Sequence, residues 1–155
     1  KIFALTGWKI GFVCAAPKLL HVLAKAHQFL AFTTAPNLQV AVAYGLGKPD
    51  TFFTDMRADL ARSRDRLTNG LKSIGFPVLE SQGTYFLTVD LSPLGLNETD
   101  EDFSKRIVVE HKVASIPVSS FYENDPVRSV VRFCFAKSDA TIDTALERLS
   151  RVLRS

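Results

Sequence analysis

Arg132 is the residue of this sequence whose neighbours most directly indicate a binding role. In the segment VVRFCFA, Val131, Phe133 and Phe135 fall on one face of a predicted strand, and Arg132 and Cys134 fall on the other. A guanidinium with so little polar company is costly to bury unless an anion pairs with it. A bound anion or a structural ion pair with an Asp or Glu side chain would meet that need.

Two lysines near the start of the chain are the other cations whose chemistry matters. Lys1 and Lys9 flank an apolar stretch and a Thr-Gly turn in the segment KIFALTGWKIG. A lysine amine can form a Schiff base with an aldehyde and can move protons when it is released. Position alone favours a solvated terminal side chain for Lys1, whereas for Lys9 a surface charge at a strand edge is an open alternative.

The composition favours one globular chain and excludes several classes of partner. The 155 residues are 46% hydrophobic and include 12 Phe, which is enough apolar surface for a core. The net charge is +3, but the basic residues are scattered, apart from four arginines between positions 57 and 66. Mixed charge of this kind is typical of a solvated helix face, so we expect no nucleic-acid partner.

The cysteines, histidines and hydropathy give no sign of a metal site or a membrane segment. Cys14 and Cys134 are far apart, and the three histidines lack metal-binding spacing, so we predict no metal site and no disulfide framework. Two free thiols fit a reducing compartment, which favours a cytoplasmic location. No segment approaches the roughly 18 consecutive apolar residues of a membrane helix, so we expect no membrane partner.

The first half of the sequence predicts one strand and three helices. Residues 10–16 form an apolar run typical of a strand buried in a parallel sheet, and Pro17 then starts an amphipathic helix. Residues 37–46 predict a short helix that is apolar nearly all round, and therefore buried. Asp50 is a plausible N-cap for a long helix that ends at Gly75.

The second half predicts a compact α/β unit. We expect residues 76–80 and 84–92 to form an antiparallel pair, and residues 113–118 and 129–136 to form two further strands. Thr99 and Asp102 have the spacing of a capping box at the start of a helix, and Asp139 is expected to cap a last helix. The predicted fold class is therefore α/β.

Several segments together resemble a known family. The segment KIFALTGWKIG resembles the cofactor-lysine segment of the fold-type I pyridoxal-phosphate-dependent aminotransferases of class I/II, the group that includes kynurenine and methionine aminotransferases. The resemblance continues, in the family's order, through AHQFLAFTTAPNLQVAVA, GTYFLTVDLS, VASIPVSSFY and VRFCFAKSDATIDTALERL. It covers essentially the whole chain.

The resemblance implies a role for each of the three cations. Lys1 would be the catalytic lysine that binds pyridoxal 5'-phosphate as a Schiff base and moves a proton during catalysis. Lys9 matches a position where many relatives have an arginine for the cofactor phosphate; lysine keeps the charge but lacks the bidentate fork. Arg132 would bind the substrate α-carboxylate.

The resemblance also suggests a substrate class. Relatives specific for dicarboxylates have a second arginine in the segment that matches HQFLAFTTAPNLQ, whereas this sequence has Phe29 and Phe32 there. A neutral, sulfur-containing or aromatic amino acid is therefore expected as the amino donor, with a 2-oxo acid as acceptor. Phe32 and Tyr85 are candidate substrate-binding residues, and the segment Ser119–Tyr122 resembles one near the pocket. Core packing is the favoured interpretation for Phe29.

The family's organisation implies that this chain is the C-terminal part of such an enzyme. Residues 1–49 would then be the end of the large cofactor-binding domain, residues 50–75 a connecting helix and residues 76–155 the small domain. The family's other cofactor-binding residues would precede Lys1, so the 155 residues alone are not expected to catalyse transamination. A homodimer with the active site at its interface is the expected assembly.

Two alternatives remain open at this point. A lyase, or the amino-acid-sensing domain of a transcription regulator, could share the fold without catalysing transamination. A structural or interaction module would make Lys1, Lys9 and Arg132 incidental.

Overall fold

The computed structural model describes residues 2–153, which divide into two compact units between Phe53 and Thr54. Each unit is described by itself. None of the described helices combines the length and the apolar composition that crossing a membrane requires.

The first unit is built from turns, helices α1 and α2, and the start of α3. Helix α1 spans Pro17–Leu30, α2 spans Pro36–Leu46 and α3 begins at Asp50. A proline occupies the first turn of both α1 and α2, where its missing N–H costs no hydrogen bond. The predicted helices are confirmed, except that Asp50 is the first residue of α3 and not the N-cap.

Two predictions for this unit are wrong. Residues 10–16 are irregular and form no strand, because the described residues provide no neighbouring strand to satisfy their backbone groups. Helix α2 is not buried: Gly45 is its only buried residue, and α1 has none. The described chain supplies no layer that covers these helices.

Phe3 packs against both α2 and α3 within the first unit. Its ring lies 6.3 Å from the Phe52 ring and 6.4 Å from the Phe53 ring, measured between centroids. A Cβ atom added to Gly45 would lie only 2.7 Å from the Phe3 ring. The absence of a side chain at Gly45 therefore lets Phe3 lie against α2.

The second unit is an antiparallel sheet packed with helices. Helix α3 runs from Asp50 to Ser73, and is followed by β1 (Phe86–Asp90), α4 (Asp100–His111), β2 (Ile116–Pro117), β3 (Val130–Cys134) and α5 (Asp139–Leu149). The strand order is β1-β3-β2, and both pairings are antiparallel. The predicted α/β class is confirmed.

The core of this unit lies where the helices cover one face of the sheet. Its largest fully buried side chains include Phe76, Phe103, Phe135, Leu71, Leu87, Ile107 and Leu149. The predicted strand at residues 76–80 reduces to a single antiparallel bridge between Val78 and Val89. The pairing direction was therefore right, but the extent was not.

The signals that begin and end helices are mostly as predicted. The Thr99 side chain accepts a hydrogen bond from the Asp102 N–H, and Gly75 ends α3 with a positive φ of 97°. The predicted cap of α5 is wrong by one residue: Ser138 is the N-cap, since its hydroxyl accepts the Thr141 N–H, and Asp139 lies in the first turn.

Candidate functional site

Arg132 lies at the centre of the sheet. Strand β3 is hydrogen-bonded on both sides, and Arg132 pairs with Thr88 on β1 and with Ile116 on β2. Val131 and Phe133 are buried, while Arg132 is half-buried, which is the alternation that the sequence predicts. The sheet therefore fixes the backbone from which the guanidinium extends.

Two aromatic rings lie close to the Arg132 guanidinium. Its Cζ atom lies 4.1 Å from the centre of the Phe86 ring and 5.0 Å from the centre of the Phe121 ring. Both distances are within the range of a cation–π interaction. The rings favour the charge of the guanidinium but cannot satisfy its N–H donors in its own plane.

Within residues 2–153, Arg132 has no acidic partner. No described carboxylate lies within 4.0 Å of the guanidinium, and no described side chain or carbonyl accepts a hydrogen bond from it. The structural ion pair considered from the sequence is thus not formed within the described chain. The guanidinium remains available to an anionic ligand.

A cavity of about 680 Å³ lies beside Arg132. Tyr85, Phe86 and Cys134 line it together with Arg132, and apolar side chains of α5 such as Ala145 line the opposite wall. The charged residues among its described lining are all basic: Lys112, Arg132, Lys137 and Arg148. Such a set of charges raises the electrostatic potential and favours an anionic ligand.

Tyr85 and Arg132, two predicted substrate-binding residues, thus line the same cavity. The Tyr85 ring lies 5.4 Å from the Phe86 ring at a nearly perpendicular angle, and its backbone carbonyl accepts the Phe135 N–H. Tyr85 also packs against the edge of the core, where it is half-buried. Its ring is therefore held in place by packing on one side.

The predicted cofactor residues belong to the first unit. Lys1 lies outside the described residues. Lys9 is exposed, adopts a positive φ of 52°, and has no ion-pair partner among residues 2–153. Gly7 also has a positive φ, 100°, and nothing lies within 4 Å of where its Cβ would be.

A cationic side chain beside an open glycine turn fits the phosphate group that the resemblance implies. The backbone at such a turn can approach a ligand closely because no side chain intervenes. Lysine supplies a point charge but not the paired donors of arginine. The described residues therefore fit the phosphate end of pyridoxal phosphate, while the aldehyde end would depend on Lys1.

Phe32 and Phe29 are both solvent-exposed in the described chain. Phe32 is 77% exposed and has a positive φ of 61°. It lines a second cavity of about 770 Å³, formed within residues 10–46, together with Phe12 and His27. Phe29 is 86% exposed, so the core packing favoured for it is wrong for the described chain.

Sequence reasoning missed two aromatic residues near Arg132 and one buried carboxylate, Asp100. Phe86 could have been found, because alternation along β1 places it on the same face as Thr88, the partner of Arg132. Phe121 lies in the segment that the sequence marked as near the pocket, but nothing in the pattern assigned its ring to Arg132. Asp100 gave no signal beyond its place at the start of a helix, although it is fully buried.

Comparison with known proteins identifies the family. The model of the aminotransferase class I and II family matches residues 1–149, and the chain belongs to this family. Its members depend on pyridoxal phosphate. The predicted resemblance is thereby confirmed.

Individual relatives agree with this assignment. The chain is 33% identical to a methionine aminotransferase of Escherichia coli, over 98% of this chain and 39% of that protein. It is 30% identical to a kynurenine–oxoglutarate transaminase of Dictyostelium discoideum, over 98% of this chain and 40% of that protein. The chain therefore spans about 40% of the length of these curated relatives.

A solved structure extends the agreement to the fold. The N-succinyldiaminopimelate aminotransferase of Mycobacterium tuberculosis superposes with a TM-score of 0.87 at 41% identity, over 99% of this chain and 40% of that one. The chain thus has the α/β fold of the corresponding part of a fold-type I aminotransferase.

Proposed function

We propose that this chain is the C-terminal part of a pyridoxal-phosphate-dependent aminotransferase. The complete enzyme would transfer the amino group of a neutral, sulfur-containing or aromatic amino acid to a 2-oxo acid. One observation supports the proposal most strongly: the Arg132 guanidinium lies within 5.0 Å of two aromatic ring centres, lines a cavity with other basic residues, and has no acidic partner in the described chain. The three relatives reported above are named as aminotransferases, and none of their names supports the lyase or regulator alternative.

Arg132 would bind the α-carboxylate common to amino acids and 2-oxo acids. A guanidinium presents two parallel N–H donors that match the two oxygens of a carboxylate. No described group accepts a hydrogen bond from the Arg132 side chain, so its N–H donors would be available to the carboxylate. Binding the carboxylate would orient the substrate amine and Cα relative to the catalytic groups.

The cofactor chemistry would depend on the first unit. Lys1 would hold pyridoxal phosphate, and Lys9 with the turn at Gly7 would bind its phosphate group. When bound, the cofactor supplies an electron sink for the pair of electrons left at the substrate Cα. The Lys1 amine would carry the proton to and from that carbon.

The substrate side chain would contact aromatic residues. Phe32 and Tyr85 are the proposed contacts, and both offer an apolar ring surface. Two relatives named for methionine and kynurenine support a neutral or aromatic substrate.

The domain arrangement, assembly and location are part of the same proposal. Residues 1–49 would belong to the large domain, 50–75 to a connecting helix and 76–155 to the small domain. The exposed apolar side chains of α1 and α2 support an assembly in which other surfaces cover them, and we infer a homodimer, which light scattering on the full-length protein would test. The free cysteines Cys14 and Cys134 support a cytoplasmic location, which fractionation of cells would test.

Steady-state kinetics of the full-length enzyme test the proposed reaction. We expect transamination of methionine or kynurenine with a 2-oxo acid, at a kcat/KM well above that for aspartate. A clear preference for aspartate or N-succinyldiaminopimelate would overturn the substrate class, and the absence of any 2-oxo acid product would overturn the reaction.

The Arg132→Ala variant tests the role of Arg132 in the same assay. Removing one partner of a desolvated charge pair costs about 2 to 5 kcal/mol, so kcat/KM is expected to fall by about 30-fold or more. Arg151→Ala is the matched control, because Arg151 is an exposed arginine that pairs with Glu147 on the surface. Equal kinetics of the two variants would show that Arg132 does not bind substrate.

A further inference from the structure

Asp100 is a buried carboxylate at the start of α4. Its exposed fraction is 0%, and no lysine, arginine or histidine among residues 2–153 lies within 4.0 Å of it. Its carboxylate accepts two backbone hydrogen bonds: Oδ1 from the Glu101 N–H at 3.1 Å and Oδ2 from the Ser119 N–H at 2.8 Å. A buried polar side chain is costly unless hydrogen bonds compensate it. The role of Asp100 therefore depends on these two backbone hydrogen bonds.

The hydrogen bonds of Asp100 join three segments of the second unit. The side chain connects α4 to Ser119, the first residue of a single 3-10 turn at Ser119–Phe121. The backbone N–H of Asp100 donates to the Arg128 carbonyl at 2.8 Å, just before β3. Asp100 therefore fixes the start of the 119–121 turn relative to the strand that bears Arg132.

The position of the 119–121 turn determines where the Phe121 ring lies relative to Arg132. The Val118 N–H donates to the Val130 carbonyl at 2.9 Å, and the Phe121 N–H donates to the Val118 carbonyl at 3.1 Å. Phe121 itself is 62% exposed, so packing in the core does not hold its ring. The backbone hydrogen bonds of the turn are what place this ring 5.0 Å from the Arg132 guanidinium.

We propose that Asp100 is a positioning residue for substrate binding, which acts by fixing the 119–121 turn so that Phe121 holds the Arg132 guanidinium ready for the α-carboxylate. This inference rests on the proposed function of Arg132. It assigns to Asp100 a part in substrate affinity, although Asp100 itself contacts no substrate.

The expected change in KM is limited by the strength of the cation–π contact between Phe121 and Arg132. A cation–π interaction at an exposed site corresponds to about a two- to fivefold change in binding. Phe121→Leu in the full-length holoenzyme should therefore raise KM for the amino acid by about two- to fivefold. It should leave kcat unchanged, because the carboxylate is bound equally in the ground state and the transition state.

Asp100→Ala should affect KM and kcat in the same way as Phe121→Leu. We expect KM to rise by no more than the Phe121→Leu variant raises it, with kcat unchanged. The double variant should then resemble Phe121→Leu alone, because both changes remove the same contact. The matched control is Asp102→Ala, which removes a carboxylate from the same helix end, where its described hydrogen bonds are with Thr99 and not with the turn.

Three outcomes would overturn this inference. The first is that Phe121→Leu leaves KM unchanged while Arg132→Ala raises it. The second is that the effects of Asp100→Ala and Phe121→Leu on KM multiply. The third is that Asp100→Ala lowers kcat without changing KM, which is what a loss of folded enzyme would do.

Two further readouts keep the inference testable. If Asp100→Ala does not fold, hydrogen exchange of the full-length wild type tests the hydrogen bond from the Ser119 N–H to Asp100. The Ser119 amide should then be as protected as the amides of β3. Rapid exchange of this amide would overturn the inference. If Arg132→Ala itself leaves KM unchanged, the proposed function fails and this inference fails with it.

Discussion

At the scale of single residues, the environment of Arg132 shows how an unpaired charge can be tolerated in a folded chain. Its methylene groups extend from a central strand, and its guanidinium lies near two aromatic rings. Such contacts offset part of the cost of desolvation without using the N–H donors. Arginine is suited to this environment because its planar group can stack on rings and can bind a carboxylate through two parallel donors, whereas lysine offers a point charge.

Asp143 allows a prediction about pH at the same scale. Arg66 donates two hydrogen bonds to its carboxylate, at 2.8 Å and 2.6 Å, and these lower the pKa of Asp143 below its usual value. A lowered pKa in the folded state means that the pair stabilises the fold above the unfolded pKa of about 3.9 and loses that effect as the pH falls through the folded pKa.

We therefore expect Asp143→Asn to lower the urea midpoint of unfolding at pH 7. The difference from wild type should shrink as the pH falls below about 4, because protonation then removes the ion pair from the wild type as well. Glu123→Gln is the control, since Glu123 is exposed and no ion pair is described for it. A difference that is constant between pH 7 and pH 3 would contradict this account.

Sequence patterns correctly predict the position of a side chain where that position depends on local backbone geometry. Alternation along β3 correctly placed Arg132 opposite the buried Val131 and Phe133. Alternation cannot show which ring of a distant turn meets the guanidinium, so Phe121 and Asp100 were missed. Phe29 was assigned to a core because a helical stripe shows which face is apolar, but not whether anything covers that face.

At the scale of elements, Gly45 and Phe3 couple helix α2 to the turn segment that follows Lys1. An alanine at position 45 would favour the helix by about 1 kcal/mol. Its Cβ would, however, lie 2.7 Å from the Phe3 ring, which must then move. Overpacking of this kind costs about 1 to 3 kcal/mol, so the clash is expected to outweigh the gain in helix propensity.

Gly45→Ala should therefore displace the segment of residues 2–8. The single tryptophan of the sequence, Trp8, lies in that segment, so its fluorescence maximum and intensity should change. Gly47→Ala is the matched control, because the nearest atom to its added Cβ would be 3.6 Å away and its φ is negative. Identical Trp8 spectra for both variants would show that Phe3 does not depend on Gly45.

The prediction of elements succeeded where the signal is local. Prolines, the Thr99 cap and Gly75 located the helices to within a residue, since each acts through its own backbone. The strand at residues 10–16 was wrong because a strand needs a partner, and an apolar run does not reveal whether one is present. The predicted strand at 76–80 shortened to one bridge for a related reason: a hydrophobic pattern cannot set the length of a pairing.

At the scale of the whole molecule, apolar surface is distributed unevenly. Most of the exposed large apolar side chains of the described residues precede Thr54, whereas the buried core lies almost entirely after it. A concentration of exposed apolar side chains in one unit favours association.

We predict that residues 54–155, produced alone, fold as a monomer, whereas the 155-residue chain associates. The measurements are light scattering and the binding of a dye that reports on exposed apolar surface, with both proteins at the same concentration. A monomeric 155-residue chain with no dye binding would contradict the uneven distribution described above.

A separate prediction concerns the cofactor. Adding pyridoxal phosphate to the 155-residue chain should produce no stoichiometric lysine-linked cofactor band.

The family and the fold class could be predicted from the sequence, because the cofactor-lysine segment and the later motifs recur in a fixed order. The substrate could not be predicted to the same extent. Two relatives are named for methionine and kynurenine, while a similar solved structure is named for N-succinyldiaminopimelate. Specificity depends on how a few side chains surround the substrate, and a pattern of residue types does not contain that geometry.

The strand order also has a consequence for biosynthesis. Strand β3 pairs with both β1 and β2, yet it is the last of the three to be synthesised. The two earlier strands therefore lack their shared partner while the ribosome is still translating the region before residue 130, and the bridge between Val78 and Val89 is the pairing described for β1 before that point. The arginine at the middle of the sheet reaches its place only when that final strand inserts, so the anion site is among the last features of the nascent chain to form.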